Sequence, residues 1–187
     1  MKYHNITKAD MLNGEGLRVV LWVSGCNHEC PGCQNALTWN PNEGITFDEE
    51  AIKEIYAELE QCWCDGITIS GGDPLFPGNR ETIRNLILNI KEKYPDKTIW
   101  CYTGYTYEVL MKQKEKDKHL NDILENVDVL LDGPFIMRLA DINTHYVGSK
   151  NQRVIDMVET RKSGEIVLYE KESTTEEQFK EVQVCHA

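Results

Sequence analysis

Cys26, Cys30 and Cys33 fall within one short stretch, CNHECPGC from 26 to 33, and make up three of the seven cysteines in a chain of 187 residues. Two thiols would make a disulfide, and four would close a tetrahedral zinc site or saturate an iron-sulfur cubane. Three do neither. A 4Fe-4S cubane has one outside position on each iron, so three thiolates leave one iron open to a small chelating substrate. Pro31 and Gly32 supply the bend that a short loop needs to turn its thiols inward. The competing reading is a structural zinc knot completed by His28 or a distant thiol, although zinc sites more often come as two separated pairs.

The other cysteines offer no second cluster. Cys62 and Cys64 flank Trp63, and Cys101 lies in an apolar run, positions at which a free cysteine is usually a small core hydrophobe. An electron carrier would saturate all four irons, and no fourth thiol lies near the motif, which favours an enzyme over an electron-transfer protein. GGDP, residues 71 to 74, would by itself read as a turn. Asp132 closes another apolar run, where it could reach a cofactor or serve as a cap. NGEG at 13 to 16 precedes an apolar run and reads as a turn, and His4, His119, His145 and His186 show no ligand spacing.

These residues need elements to hold them. RVVLWVSG, residues 18 to 25, is rich in β-branched and aromatic residues and reads as a strand buried on both faces. TFDE, from Thr46 to Glu49, has capping-box spacing, and Ile52, Ile55, Tyr56 and Leu59 follow at helical intervals. GITIS (66 to 70) is a strand, followed by a helix marked by Ile83, Leu86, Ile87 and Ile90. TIWCY (98 to 102) is a third strand, with a Lys-rich helical stretch behind it, and VDVLLD (127 to 132) is a fourth. Such alternation predicts an α/β fold, a mostly parallel sheet with crossover helices. In that architecture ligands sit at the carboxyl ends of the strands, where CNHECPGC, GGDP, TGY and DGPF all fall. VIDM (154 to 157) and EIVLY (165 to 169) are candidate further strands, and TTEEQFKEVQVCHA is a tail or short helix.

Composition narrows the function. A length of 187 residues suits one domain, read here as a core at 1–158 and a C-terminal extension at 159–187. A formal charge of -11 repels phosphate backbones, so nucleic acid is a poor partner. No run of about 18 apolar residues suggests a membrane span, and MKYHNITKAD lacks a secretory apolar stretch. A cytoplasmic location is expected, where clustered thiols are metal ligands or redox groups rather than bridges.

The spacing C-x3-C-x2-C after a first strand resembles the signature of the radical S-adenosylmethionine superfamily. NGEGLR (13–18), SGCNHECPGCQN (24–35), SGGDPL (70–75), YTGY (102–105), LLDGPF (130–135) and GSKNQRVID (148–156) together resemble the activating proteins of anaerobic (class III) ribonucleoside-triphosphate reductases. The resemblance covers residues 5 to 157. It implies a partial (open) β/α barrel and one 4Fe-4S cluster on Cys26, Cys30 and Cys33, with S-adenosyl-L-methionine chelating the open iron. It also implies cofactor contacts from Gly32, Gln34, Gly71, Gly72, Asp73 and Asp132, the missing side chain of Gly72 admitting the methionyl group. The implied partners are the glycyl-radical reductase and an electron donor such as a flavodoxin, with TGY, DGPF and GSKNQRVID shaping the face that admits a glycine-bearing loop. The runner-up is an activase of another glycyl-radical protein or another small radical enzyme. Gly32 stands where many superfamily members have an aromatic residue, Asp73 where glutamate is usual, and Val147 where arginine is expected.

Overall fold

The computed structural model describes residues 1–170; TTEEQFKEVQVCHA, with Cys185 and His186, lies outside the described residues. In chain order the elements are β1 (Lys2–Asp10), β2 (Arg18–Val23), β3 (Ile45–Thr46), α1 (Glu49–Leu59), β4 (Gly66–Gly71) and α2 (Arg80–Lys93). Then come β5 (Thr98–Tyr102), α3 (Tyr107–Lys114), α4 (Lys118–Asn126), β6 (Val129–Asp132), β7 (Arg153–Asp156) and α5 (Met157–Ser163). The strands form one sheet in the order β3-β1-β2-β4-β5-β6-β7.

The sheet centre follows the expected pattern. β2, β4, β5 and β6 are parallel neighbours, with Val23 opposite Gly71, Ile69 opposite Cys101 and Tyr102 opposite Leu131. Each crossover between them carries helix, as parallel neighbours require. The flanks are different: β1 pairs antiparallel with β2 and β3, and β7 pairs antiparallel with β6. The molecule is therefore mixed α/β with a parallel centre, and among the described residues its sheet is open, since β3 and β7 end the order and do not pair with each other.

Period-2 alternation divides the two faces of the sheet. Val19, Leu21, Val23, Ile67, Ile69, Ile99 and Leu130 share one core with Ile55, Leu59, Ile83, Ile87, Ile90, Leu120 and Ile123 of the helices. Trp100, Val129 and Leu131 point the other way and pack with Tyr102, Tyr146, Val147 and Val154, with no helical residue among them. One face is thus roofed by helices, and the other is left for loops.

Three local expectations change. Thr46 does not cap α1: it pairs with Lys2 in β3, and Asp48 is the N-cap, accepting from the N–H groups of Glu50 and Ala51. The Lys-rich stretch breaks into α3 and α4, the second capped by Asp117. EIVLY contributes a single bridge from Leu168 to Ile155 rather than a strand. Among the described residues, no helix is long and apolar enough to cross a membrane.

Candidate functional site

The cysteine loop leaves β2 at Val23 and is held at its stem by backbone bonds. Gly25 N–H donates to Thr38 O (2.7 Å) and Cys26 N–H to Trp39 O (3.0 Å). Farther along, Cys33 N–H donates to Cys30 O (3.0 Å), closing a turn through Gly32 at φ +78, a conformation glycine adopts without strain. Asn35 N–H points at Cys33 Sγ from 3.3 Å.

All three thiols are half-buried. Burial pushes the Cys26 thiol up to about 11 and raises that of Cys30. Such thiols stay protonated until a metal displaces the proton. All three line one cavity of about 120 Å³ together with Gly71, Gly72 and Gly133. A larger cavity, about 450 Å³, shares Cys33, Asn35, Ser70, Tyr102, Phe135 and Gln152 with it, and Gln34 lines this second space.

The donor set fits a cluster better than a single ion. Among the described residues, no three His, Cys, Asp or Glu side chains converge to hold one metal ion. A cubane does not ask for such convergence, because each thiolate takes its own iron at a separate corner. His28, the nearby candidate for completing a zinc knot, instead has Nε2 2.8 Å from Asp73 Oδ2. Cys64 and Cys101 are buried in the core as expected, whereas Cys62 is exposed rather than core.

GGDP packs directly on the cysteine loop. Gly72 N–H donates to Val23 O (2.8 Å), and Asp73 N–H donates to Gly25 O (2.7 Å). The space beside the Gly72 Cα is already filled: a Cβ there would lie 2.6 Å from Gly25 O and 2.9 Å from Thr38 O. Backbone of the cysteine-loop stem thus occupies the place of its side chain. Gly71 has φ +101, and a Cβ on it would meet Val23 N at 2.7 Å.

The two aspartates line neither cavity. Asp73 is 1% exposed, and its carboxylate accepts from Leu75 N–H, Thr103 Oγ1 and Gly104 N–H. Asp132 is equally buried, accepts from Tyr107 N–H at 2.7 Å, and is paired with Arg153, which also grips Glu108 through two bonds. Arg153 holds the Glu108 carboxyl well below its usual range, at about 2. Gly32 lines neither cavity and serves the Cys30–Cys33 turn.

Tyr102 of the YTGY motif, read from the sequence as mixed core and pocket wall, lines both cavities. Ser70 was not singled out, although the alternation of β4 turns it from the helix-packed face. Gln152 had no such signal. Its Oε1 accepts from Gly148 N–H (3.0 Å) and Ser149 N–H (3.1 Å), and its Nε2 donates to Gly133 O (3.0 Å), tying the GSKNQ segment to the DGPF loop. The wall of the larger cavity also includes Trp22, Tyr146 and Val147 and, among the described residues, carries no Asp, Glu, Lys or Arg. A cavity of about 640 Å³ lies at the opposite, amino-terminal ends of the strands, around Arg18, Asp65 and Thr98, away from the three cysteines.

Comparison with known proteins places these features in a wider set. A family model described as a 4Fe-4S single cluster domain matches residues 12–155. The anaerobic ribonucleoside-triphosphate reductase-activating protein of Enterobacteria phage T4 is 42% identical over 154 residues, covering 82% of this chain and 93% of the relative. The protein of the same description from Haemophilus influenzae is 41% identical, covering 81% and 96%. That of Escherichia coli K12 is 39% identical over 156 residues, covering 82% and 97%.

Proposed function

Because the chain belongs to the family of anaerobic ribonucleoside-triphosphate reductase-activating proteins, we propose that it is a radical S-adenosylmethionine activase for such a reductase. The observation that carries this reading is the placement of three thiols on one cavity wall, beside Gly71 and Gly72 and, among the described residues, with no fourth thiol on that wall. When bound, the cluster and S-adenosylmethionine supply one-electron chemistry that releases methionine and a 5'-deoxyadenosyl radical able to take a hydrogen atom from a glycine Cα of the reductase.

The protein's own part is to hold, orient and exclude water. Cys26, Cys30 and Cys33 would hold the cluster and leave a position on it for S-adenosylmethionine to chelate. Gly71 and Gly72 offer only backbone to the methionyl end. Asp73 and Asp132 act from behind, bracing the loops through the bonds described above. Trp22, Tyr102, Phe135 and Tyr146 give the larger cavity an aromatic, uncharged wall suited to an adenosyl group and to an uncharged glycine-bearing loop. In this reading the open sheet with helices on one face is a partial β/α barrel, residues 1–158 are its core and 159–187 an extension. The protein works in the cytoplasm, with electrons from a carrier such as a flavodoxin.

Anaerobic reconstitution with iron and sulfide, followed by S-adenosylmethionine and a reductant, is expected to yield methionine and 5'-deoxyadenosine in equal amounts. A fully loaded, reduced protein that leaves S-adenosylmethionine intact would refute the proposal.

A further inference from the structure

Asp73 joins three of the loops that line the cavity. In its own loop it accepts from Leu75 N–H at 2.8 Å; from the loop after β5 it accepts from Thr103 Oγ1 at 3.0 Å and Gly104 N–H at 3.1 Å. The third loop reaches it through His28, whose Nε2 lies 2.8 Å from Asp73 Oδ2. The imidazole stands edge-on to Tyr105, with ring centroids 4.5 Å apart. Gly104 makes room for it: a Cβ there would fall 2.3 Å from the His28 ring, and its three nearest neighbours are all atoms of that ring. Thr103, Gly104 and Tyr105 therefore act as a socket. Thr103 orients Asp73, Gly104 admits the imidazole, and Tyr105 closes on its edge.

The socket grips the cysteine loop at a sensitive place. His28 lies between Cys26 and Cys30, beyond the stem bonds at Gly25 and Cys26. The next residue, Glu29, adopts φ +44, a left-handed conformation that a non-glycine residue keeps only when its surroundings impose it. The His28–Asp73 bond is the tertiary anchor immediately before that residue.

We propose that His28 is a positioning residue, whose bond to buried Asp73 and fit against Gly104 fix Cys26 and Cys30 relative to the Gly71–Gly72 backbone. It rests on the functional reading above and deepens it: the thiols hold iron, the glycines face the ligand of the open iron, and His28 sets the spacing between the two. Without this anchor, Glu29 relaxes toward an ordinary φ and Cys30 moves with it, so the loop still binds iron but presents the open position out of register.

The test compares wild type, His28→Ala, His28→Gln, Gly104→Ala and the double variant His28→Ala/Gly104→Ala after anaerobic reconstitution. The readouts are iron content, S-adenosylmethionine affinity, and the change in the reduced cluster's electron paramagnetic resonance signal when S-adenosylmethionine is added. Wild type comes first: no spectral change on adding S-adenosylmethionine refutes the functional reading itself. If wild type responds, His28→Ala should keep its iron but bind S-adenosylmethionine about 10–100-fold more weakly, the usual effect of removing a group that orients metal ligands. His28→Gln, which keeps an N–H donor of similar reach, should recover most of that loss. Gly104→Ala should also weaken binding, yet add nothing in the His28→Ala background, because the three atoms nearest its Cβ all belong to the imidazole. Wild-type affinity and spectral response in His28→Ala, or losses that add in the double variant, overturn the proposal. Should His28→Ala fail to fold, Gly104→Ala decides: wild-type binding there overturns it.

Discussion

Replacing any one of Cys26, Cys30 or Cys33 with alanine is expected to abolish S-adenosylmethionine cleavage and to lower the iron recovered per chain. Each thiolate holds a separate corner of the cubane, so two remaining ligands leave two irons without protein support. Cys64 and Cys101 set the contrast. Both are buried, and their thiols point at the carbonyls of Gly66 and Tyr102 at 3.4 and 3.7 Å rather than at the cavity. Cys64→Ala and Cys101→Ala should each cost about 1 kcal/mol or less of stability, as small truncations in a core do, and should keep cleavage largely intact. Iron and sulfide analysis with 5'-deoxyadenosine measured on the same samples checks this. A folded Cys101 variant without a cluster, beside a Cys30 variant that retains one, would show that the ligands are misassigned.

Gly72→Val is expected to damage the cluster site as well as cofactor binding. The atoms nearest a Cβ at Gly72 are the Gly25 and Thr38 carbonyls, backbone groups that cannot rotate aside as a flexible side chain could. Gly25 and Thr38 are also bonded to each other, forming the stem from which the cysteine loop springs. Valine must therefore displace that stem, at a cost of about 1–3 kcal/mol typical of overpacking, and the displacement is passed on to Cys26. A lowered thermal midpoint, reduced iron uptake and weaker S-adenosylmethionine binding should appear together. Full iron content and unchanged stability, with only ligand affinity reduced, would instead mean that the glycine makes room for the ligand.

The parallel centre of the sheet was legible because RVVLWV, GITIS, TIWCY and VLLD are apolar runs buried on both faces, and burial of that kind leaves a continuous signature. β1 was not legible. In KYHNITKAD only Tyr3 and Ile6 are buried, and register shifts against β2 break the alternation that would mark a strand. The start of α1 was misplaced because TFDE has capping-box spacing, yet the pairing of Thr46 with Lys2 removes it from the helix, and Asp48 caps instead.

For the site, the three cysteines and GGDP were visible as local motifs at strand ends. TGY was visible as a motif but not in its role: that Gly104 gives way to His28 depends on two strand-end loops meeting in space, which spacing along the chain does not encode. The same holds for Asp132, whose carboxylate is committed to Arg153 and Tyr107 N–H by the antiparallel addition of β7, and for Gln152, which ties the last two loops together.

In the proposed function the protein places a radical on a glycine of its partner. The direct measurement mixes the reconstituted protein, a reductant and S-adenosylmethionine with an anaerobic ribonucleoside-triphosphate reductase, made once with ordinary glycine and once with glycine deuterated at Cα. The account predicts a doublet electron paramagnetic resonance signal with ordinary glycine. With deuterated glycine the splitting should collapse and deuterium should appear in the 5'-deoxyadenosine. Cleavage of S-adenosylmethionine in the presence of an intact, folded reductase that never acquires this signal would contradict the account.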